Sequence, residues 1–165
     1  MNSVANGSES FLAGDFETFT RCIAKWRLVP SNAMTPDMAG RRVLITGGAG
    51  FIGSNLANHL AERNEVVAVD DESLGTPSNL DDRVEYRHAS VLDSGLPTDV
   101  DVLYHLAACS SYPMHEDDPQ RGAEVNVEGF VNAVEQARQD GCDTVVYAST
   151  SSIYGDCQEP TSEDA

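Results

Sequence analysis

Residues 43–56 constrain the fold most, because an apolar run leads directly into three spaced glycines and then into a stretch with helical periodicity. Gly47 allows a sharp turn off a strand, Gly50 allows close approach of a pyrophosphate, and Gly53 allows a helix to pack closely on a sheet. Backbone N–H groups at the positive end of that helix bind phosphates. The spacing predicts a dinucleotide-binding βα unit; an ordinary glycine-rich turn is the alternative.

A carboxylate ends the next apolar run. Residues 65–70 read as a second strand, and Asp70 stands 17 residues after Gly53, where an acid accepts both ribose hydroxyls of an adenosine. Together with Asp71 and Glu72 it would repel a 2′-phosphate, so NAD is favoured over NADP. The alternative is that Asp70 is a solvated residue at a strand end.

Strands and helices continue to alternate along the chain. Three further strands are predicted, at residues 84–88, 102–106 and 144–149. Helices are predicted over 51–63 and from Asp118, which caps the second helix before Pro119, to Arg138. Their predicted apolar stripes are Ile52, Leu56 and Leu60 in the first helix, and Val127, Phe130, Val131 and Val134 in the second. This order predicts an α/β fold, a doubly wound parallel sheet with its ligand crevice beyond the carboxyl ends of the strands.

The chain is strongly acidic. It has 27 acids against 10 bases, a formal net charge of −17, and Lys25 as its single lysine. Such a surface repels nucleic acid and anionic membranes. The composition also resembles that of proteins from salt-adapted cells, and a melting temperature indifferent to molar KCl would count against that hypothesis.

Composition changes near Met38. Residues 1–38 hold four acids and three bases, whereas residues 39–165 hold 23 acids and seven bases. The first piece is interpreted either as an extension or, over residues 1–33, as an artefact of start-codon choice. Its apolar residues recur with the spacing of an amphipathic helix that could dock on the domain or on a partner: Leu12, Phe16, Phe19, Ile23 and Trp26.

No apolar run is suited to a signal peptide or a membrane span, so a cytoplasmic location is expected. The four cysteines show neither metal-ligand spacing nor a paired framework, and they are expected to be free thiols: Cys22, Cys109, Cys142 and Cys157. With 165 residues there is room for one domain.

Several motifs occur together in order. They are residues 46–56, His105 to Ala108, Asp118–Pro119, Asn126-Val127-x-Gly129, and residues 147–155. In this combination the chain resembles the extended short-chain dehydrogenase/reductase family, in its NAD-dependent sugar-nucleotide epimerase/dehydratase branch. The resemblance covers residues 39–165. It implies the N-terminal part of an NAD(P)-binding Rossmann-like domain, truncated after the fifth strand, with the C-terminal substrate domain absent.

The resemblance implies roles for particular residues. Backbone at Phe51 and Ile52 would bind the pyrophosphate, and Ser149 would lie beside the nicotinamide ribose. Thr150 would hydrogen-bond the reacting sugar hydroxyl; taken alone it is only a hydroxyl at a strand end. The segment Leu106, Ala107 and Ala108 would line the cofactor beneath the fourth strand.

The resemblance also bears on two further polar positions, Asn126 and Ser90. Asn126 would bond neighbouring backbone near the cofactor, or else it is a solvated polar residue on its helix. After the third strand the family usually has Gly-Asp-hydrophobic, with the aspartate on the adenine amine, whereas this chain has Ala89-Ser90-Val91. Ser90 can still hydrogen-bond there, though without charge, so adenine binding is expected to be weaker.

The family's Tyr-x-x-x-Lys pair is expected beyond Ala165. In the family the tyrosine takes a hydroxyl proton while hydride passes to NAD, so the chain as written is expected not to turn over. Dehydratases of the branch tend to carry Asp-Glu where this chain has Ser151-Ser152. An epimerase parent acting on UDP-glucose or UDP-galactose is therefore favoured, with dehydratase, decarboxylase and reductase left open.

Members of the family often form homodimers through two helices per subunit, of which this chain has one, over residues 118–138. A different class of function is a non-catalytic NAD-binding or interaction module that uses the N-terminal stripe. That module would require stable folding of the chain alone, and partner-dependent solubility would support it.

Overall fold

Five parallel strands form a single sheet in the computed structural model, which describes residues 38–150. The strands are β1 (Arg42–Thr46), β2 (Glu65–Asp70), β3 (Glu85–His88), β4 (Val102–His105) and β5 (Thr144–Tyr147). Their order across the sheet is β3-β2-β1-β4-β5, and every neighbouring pair is parallel. This order makes β1 the central strand, and the chain winds outward from it in both directions. Each connection between parallel strands crosses a face of the sheet.

Helices cover both faces of the sheet. They are α1 (Phe51–Leu60), α2 (Tyr112–Asp117), α3 (Pro119–Ala123) and α4 (Gly129–Asp140), with a π-helical segment at Glu124–Glu128 and a 3₁₀ turn at Pro77–Asn79. The α1 helix packs against Val43 and Ile45 of β1, and α4 packs on the same side as Leu44. Alternate residues of one strand thus face opposite helices, and the predicted doubly wound α/β fold is confirmed.

The second predicted helix is interrupted. Asp118 separates α2 from α3, and its Oδ1 accepts the Arg121 N–H at 2.9 Å, so the predicted cap is present. The helix then passes through the π-helical segment before α4, which ends at Gly141 in a left-handed conformation. The first helix, predicted to reach Arg63, ends at Leu60.

The buried stripe predicted for the second helix is wrong at two positions. Val127 is 64% exposed and Val131 is 56% exposed, whereas Phe130 and Val134 are half-buried. The buried face consists of small residues four apart, with one valine before them: Val125, Gly129, Ala133 and Ala137. The helix lies too close to the protein beneath it for large side chains, since a Cβ on Gly129 would come within 2.5 Å of Val91 Cγ2.

The α1 stripe is wrong at Ile52, which is 52% exposed at the first turn. Leu56 and Leu60 do pack against the core, but the fully buried residues of this helix are also small: Gly53, Ser54 and Ala57. Hydrophobic periodicity therefore finds both helices and misplaces their inner faces.

Residues 1–37 and 151–165 lie outside the described residues. The predicted N-terminal stripe, Cys22, Cys157, Tyr154 and the Ser151-Ser152 pair fall there, and the extension stays a prediction. Cys109 and Cys142, the two cysteines within the described range, are free thiols. Within residues 38–150, no helix is long and apolar enough to cross a membrane, and no group of three or more potential metal ligands occurs.

Candidate dinucleotide site

The glycine loop is packed against the segment that follows β4. Gly47 has a φ of +69°, and a Cβ there would lie 2.8 Å from the Ala107 nitrogen. A Cβ on Gly53 would overlap the Gly47 carbonyl oxygen, so the loop and the first turn of α1 are in direct backbone contact. Both positions therefore require glycine for the packing of the protein itself.

Gly50 is different, because the protein around it leaves room. It is the N-cap residue of α1, and a Cβ there would touch only the Gly47 carbonyl oxygen, at 3.3 Å. The first i→i−4 bond of the helix is Ser54 N–H to Gly50 C=O, so the N–H groups of Phe51 and Ile52 precede the helical ladder. The loop is thus a backbone cradle at the positive end of a ten-residue helix. Pyrophosphate binding at Gly50, Phe51 and Ile52 stays a prediction.

Asp70 is held inside the site. It is 8% exposed; its Oδ2 accepts the Ala49 N–H at 3.0 Å and its Oδ1 accepts the Glu72 N–H at 2.9 Å. Gly75 lies against both carboxylate oxygens, since a Cβ there would be 2.9 Å from each. The alternative of a solvated strand-end residue is wrong. Each carboxylate oxygen has a further lone pair for a ligand hydroxyl, and the ribose contact stays a prediction.

A buried polar pair underlies the loop, and sequence reasoning assigned it no role. Thr46 Oγ1 and His105 Nδ1 are 2.9 Å apart on adjacent strands, and Thr46 Oγ1 also accepts the Ala107 N–H at 3.4 Å. Either Thr46 Oγ1 or His105 Nδ1 can be the donor in their bond, depending on the tautomer of the imidazole. Burial lowers the pKa of His105, so the ring is neutral near pH 7.

The His105 ring also organises the edge of β4. It stacks on Tyr147 at a centroid distance of 6.1 Å and meets Phe130 edge-on at 5.5 Å. Directly after it, the Leu106 N–H donates to the Thr46 carbonyl at 3.0 Å. The signal for this pair in the sequence is a polar residue at the end of each of two apolar strands.

Leu106, Ala107 and Ala108 continue from β4 past the glycine loop. The first two are half-buried and Ala108 is exposed. Leu106 and Ala107 lie against Gly47, and contact of all three residues with a cofactor stays a prediction.

Asn126 clamps the next residue of this segment. Its Oδ1 accepts the Cys109 N–H at 2.8 Å, and its Nδ2 donates to the Cys109 carbonyl at 3.0 Å. The expected bonding to neighbouring backbone is confirmed, and the alternative of a solvated polar residue is wrong. Asn126 lies in the π-helical segment, where the widened turn departs from the regular helix that was predicted. Its proximity to a cofactor stays a prediction.

Ser90 and Val91 follow β3 on the other side of the site. Ser90 Oγ accepts the Leu92 N–H at 3.3 Å, so the hydroxyl supports a local turn. Val91 is 5% exposed and packs with Cys109 and Val125. Contact of Ser90 or Val91 with adenine stays a prediction.

Ser149 and Thr150 are exposed beyond the end of β5. The Ala148 N–H donates to the His105 carbonyl at 3.3 Å, which keeps this segment beside β4. Both hydroxyl residues therefore follow a strand at the same edge of the sheet as the glycine loop, and their roles stay predictions.

Continuous contacts join most of the predicted residues. Asp70 bonds Ala49 of the glycine loop, Gly47 contacts Ala107, and Cys109 links Asn126 to Val91. These residues follow four different strands and meet because parallel strands all end at one edge. A backbone phosphate cradle next to a buried carboxylate fits two neighbouring parts of an adenosine diphosphate, namely its pyrophosphate and its ribose.

Comparison with known proteins gives a consistent result. Residues 43–165 match the model of the NAD dependent epimerase/dehydratase family. A UDP-glucose 4-epimerase from Mycolicibacterium smegmatis is 42% identical over 136 residues, which cover 74% of this chain and 44% of that protein. UDP-glucuronic acid decarboxylase 6 from Arabidopsis thaliana is 35% identical over 121 residues, covering 70% of this chain and 35% of that protein.

Solved structures share the fold. The UDP-glucose 4-epimerase of Thermus thermophilus, solved as a complex with NAD, has a TM-score of 0.63 and 33% identity, covering 73% of this chain and 41% of that chain. This chain thus spans less than half the length of the relatives it matches.

Proposed function

This chain belongs to the NAD dependent epimerase/dehydratase family, and we propose that it is the NAD-binding half of a sugar-nucleotide epimerase similar to UDP-glucose 4-epimerase. One observation carries the proposal: the glycine cradle and the Asp70 carboxylate are bonded to each other through Ala49. Phosphate donors and a ribose acceptor are therefore held in one rigid unit. NAD-bound and UDP-sugar-bound relatives of the same fold support this assignment.

The residues of this chain have distinct tasks in the proposal. Gly50 keeps a side chain away from the pyrophosphate, Gly47 and Gly53 allow the close packing of the loop that binds it, and Asp70 accepts the ribose hydroxyls. When bound, NAD supplies a hydride acceptor that can return the hydride, which is the chemistry that inversion at a sugar carbon requires. Thr150 hydrogen-bonds the sugar hydroxyl that reacts, and Ser149 contacts the nicotinamide ribose.

The floor of the site supports these tasks indirectly. Thr46 and His105 join the ends of β1 and β4, and burial lowers the pKa of His105, so this buried pair adds no positive charge under the glycine loop near pH 7.

The choice of an epimerase rests on two features. The Mycolicibacterium relative is more similar to this chain than the decarboxylase relatives are, at 42% against 34–36% identity. Ser151-Ser152 stands where dehydratases tend to have two acids. A UDP-sugar decarboxylase is the second candidate, favoured by the matching Arabidopsis protein, and the UDP-sugar substrate is common to both.

Wider properties of the parent protein are also proposals. Val127 of the π-helical segment and Val131 of α4 are exposed apolar side chains, which supports a homodimer. We propose a cytoplasmic location, and the net charge of −17 supports a protein that avoids nucleic acid and anionic membranes and is adapted to high salt.

Calorimetric titration of the 165-residue chain with NAD tests the proposed function. Wild type is expected to bind one NAD saturably, and Asp70→Asn is expected to bind it about tenfold or more weakly, because charge-assisted hydrogen bonds are lost. Asp82→Asn, at an exposed acid, serves as the control and should bind like wild type. Absence of heat at millimolar NAD, with a cooperative melt showing that the chain is folded, would refute the proposal.

A further inference from the structure

An ion pair joins the two sides of the candidate site. Arg121 Nη2 and Asp71 Oδ2 are 3.4 Å apart. Asp71 follows β2, and Arg121 lies on α3 in the connection after β4. Because β2 and β4 flank β1 in the sheet, the pair connects segments on either side of the strand that continues into the glycine loop.

Both partners are positioned by their own backbone surroundings. Asp71 Oδ1 accepts the Ser73 N–H at 3.1 Å, and the Arg121 N–H is bound by Asp118 at the start of α3. Burial alone would raise the pKa of Asp71, but the hydrogen bonds from Ser73 and the charge of Arg121 outweigh it and lower that pKa. The carboxylate is therefore ionised at neutral pH and the pair is a true salt bridge.

The acids beside this guanidinium have different partners. Asp70 is bonded to Ala49 and Glu72 backbone, and the Glu72 carboxylate accepts the Tyr86 hydroxyl at 2.8 Å. Asp71 is the acid that faces Arg121. The positive charge of Arg121 is thus neutralised one residue away from the carboxylate proposed to bind the ribose.

We infer that the Asp71–Arg121 pair determines how strongly the site prefers NAD over NADP, an inference that rests on the proposed function. Guanidinium groups bind phosphates tightly, and NADP differs from NAD by a 2′-phosphate on the ribose that Asp70 is proposed to contact. Asp71 occupies the guanidinium and so withholds it from that phosphate. Asp71 is the next residue in the chain after Asp70, and we therefore assign its ion pair with Arg121 an effect on charge near this ribose.

The test compares wild type, Asp71→Asn, Arg121→Gln and the double variant by calorimetric titration with NAD and with NADP. Asparagine keeps an Oδ1 acceptor for Ser73, so Asp71→Asn removes the charge and preserves the turn. The ratio of the NADP Kd to the NAD Kd is expected to fall about three- to tenfold in Asp71→Asn. It should rise in Arg121→Gln, and Asp71→Asn should lower it by less in the Arg121→Gln background than in wild type.

Glu135→Gln is the matched control, because it removes one acid and breaks an ion pair with Arg138 on α4. Its ratio should equal that of wild type. The inference would be overturned if the ratio of the NADP Kd to the NAD Kd fell in Glu135→Gln. It would also be overturned if Asp71→Asn lowered this ratio equally in wild type and in Arg121→Gln. Either result would mean that total charge sets the ratio.

The remaining outcomes separate this inference from the proposed function. If wild type binds NAD and the ratio in Asp71→Asn is unchanged, the pair has no role in specificity and the proposed function stands. If folded wild type binds neither dinucleotide, both are overturned. If Asp71→Asn does not fold, as judged by its thermal melt, an unchanged ratio in Arg121→Gln refutes the inference by itself.

Discussion

Two separate constraints require glycine at position 47. Its φ of +69° disfavours any side chain, and its α-carbon faces the backbone of Ala107 at the end of β4. The first requirement could be predicted from the glycine spacing, because a turn off a strand uses this conformation. The second could not, because it depends on which strand lies next to β1.

Gly47→Ala is expected to destabilise the chain by more than Gly40→Ala. Gly40 also has a positive φ, of +75°, but a Cβ there meets nothing within 4 Å, so it reports the conformational cost alone, about 1–2 kcal/mol. The clash with Ala107 adds to that cost in Gly47→Ala. Urea unfolding of both variants measures the difference, and equal losses would show that β4 does not press on the loop.

Because His105 is buried, we expect the free energy of unfolding to depend on pH. Because burial lowers its pKa in the folded chain below the value of about 6.5 in the unfolded chain, the unfolded state binds a proton first as the pH falls. The stabilising contribution is complete above pH 6.5 and is lost progressively below it, down to the folded pKa. Wild type should therefore have a lower free energy of unfolding at pH 5.5 than at pH 7.5.

His105→Phe should reduce this loss, since phenylalanine keeps the aromatic contacts with Tyr147 and Phe130 and does not titrate. His59→Gln, at an exposed histidine of α1, should retain it. Urea unfolding at pH 5.5 and pH 7.5 measures the change in the free energy of unfolding for each variant. An identical change in His105→Phe and wild type would exclude His105 as the source of the pH dependence.

At the scale of elements, strands were predicted more accurately than helix faces. Buried parallel strands are continuous apolar runs, so β1, β2 and β4 are visible in sequence. Helix α4 instead turns Gly129, Ala133 and Ala137 toward the sheet, and hydrophobicity selected the larger Val127 and Val131. Small residues are weakly hydrophobic, so a close helix–sheet contact leaves little periodic signal.

Ala133→Val should cost about 1–3 kcal/mol, because a fully buried small residue on α4 has no room for two more methyl groups. Val131→Thr, two positions away on the exposed side, should change stability by less than about 0.5 kcal/mol. Chemical denaturation of the two variants tests the orientation of the helix. A larger loss of stability in Val131→Thr than in Ala133→Val would mean that the buried face is the one predicted from sequence.

At the scale of the whole molecule, the order of strands in the sheet determines which residues meet at the site. The glycines and Asp70 could be predicted because they belong to one continuous βα–β segment. The Thr46–His105 and Asp71–Arg121 contacts join residues 59 and 50 positions apart, and they form only because β4 and β2 flank β1. Local patterns carry no information about such pairs until the sheet order is known.

Hydrogen exchange of the 165-residue chain with and without saturating NAD tests the location of the site most directly. We expect slower exchange in the glycine loop and first turn of α1, over residues 47–54, and in residues 70–76 and 106–109. The second half of α4, over residues 133–140, should exchange unchanged. Protection confined to other segments, or no protection in a folded chain at millimolar NAD, would contradict the assignment of this edge of the sheet as the dinucleotide site.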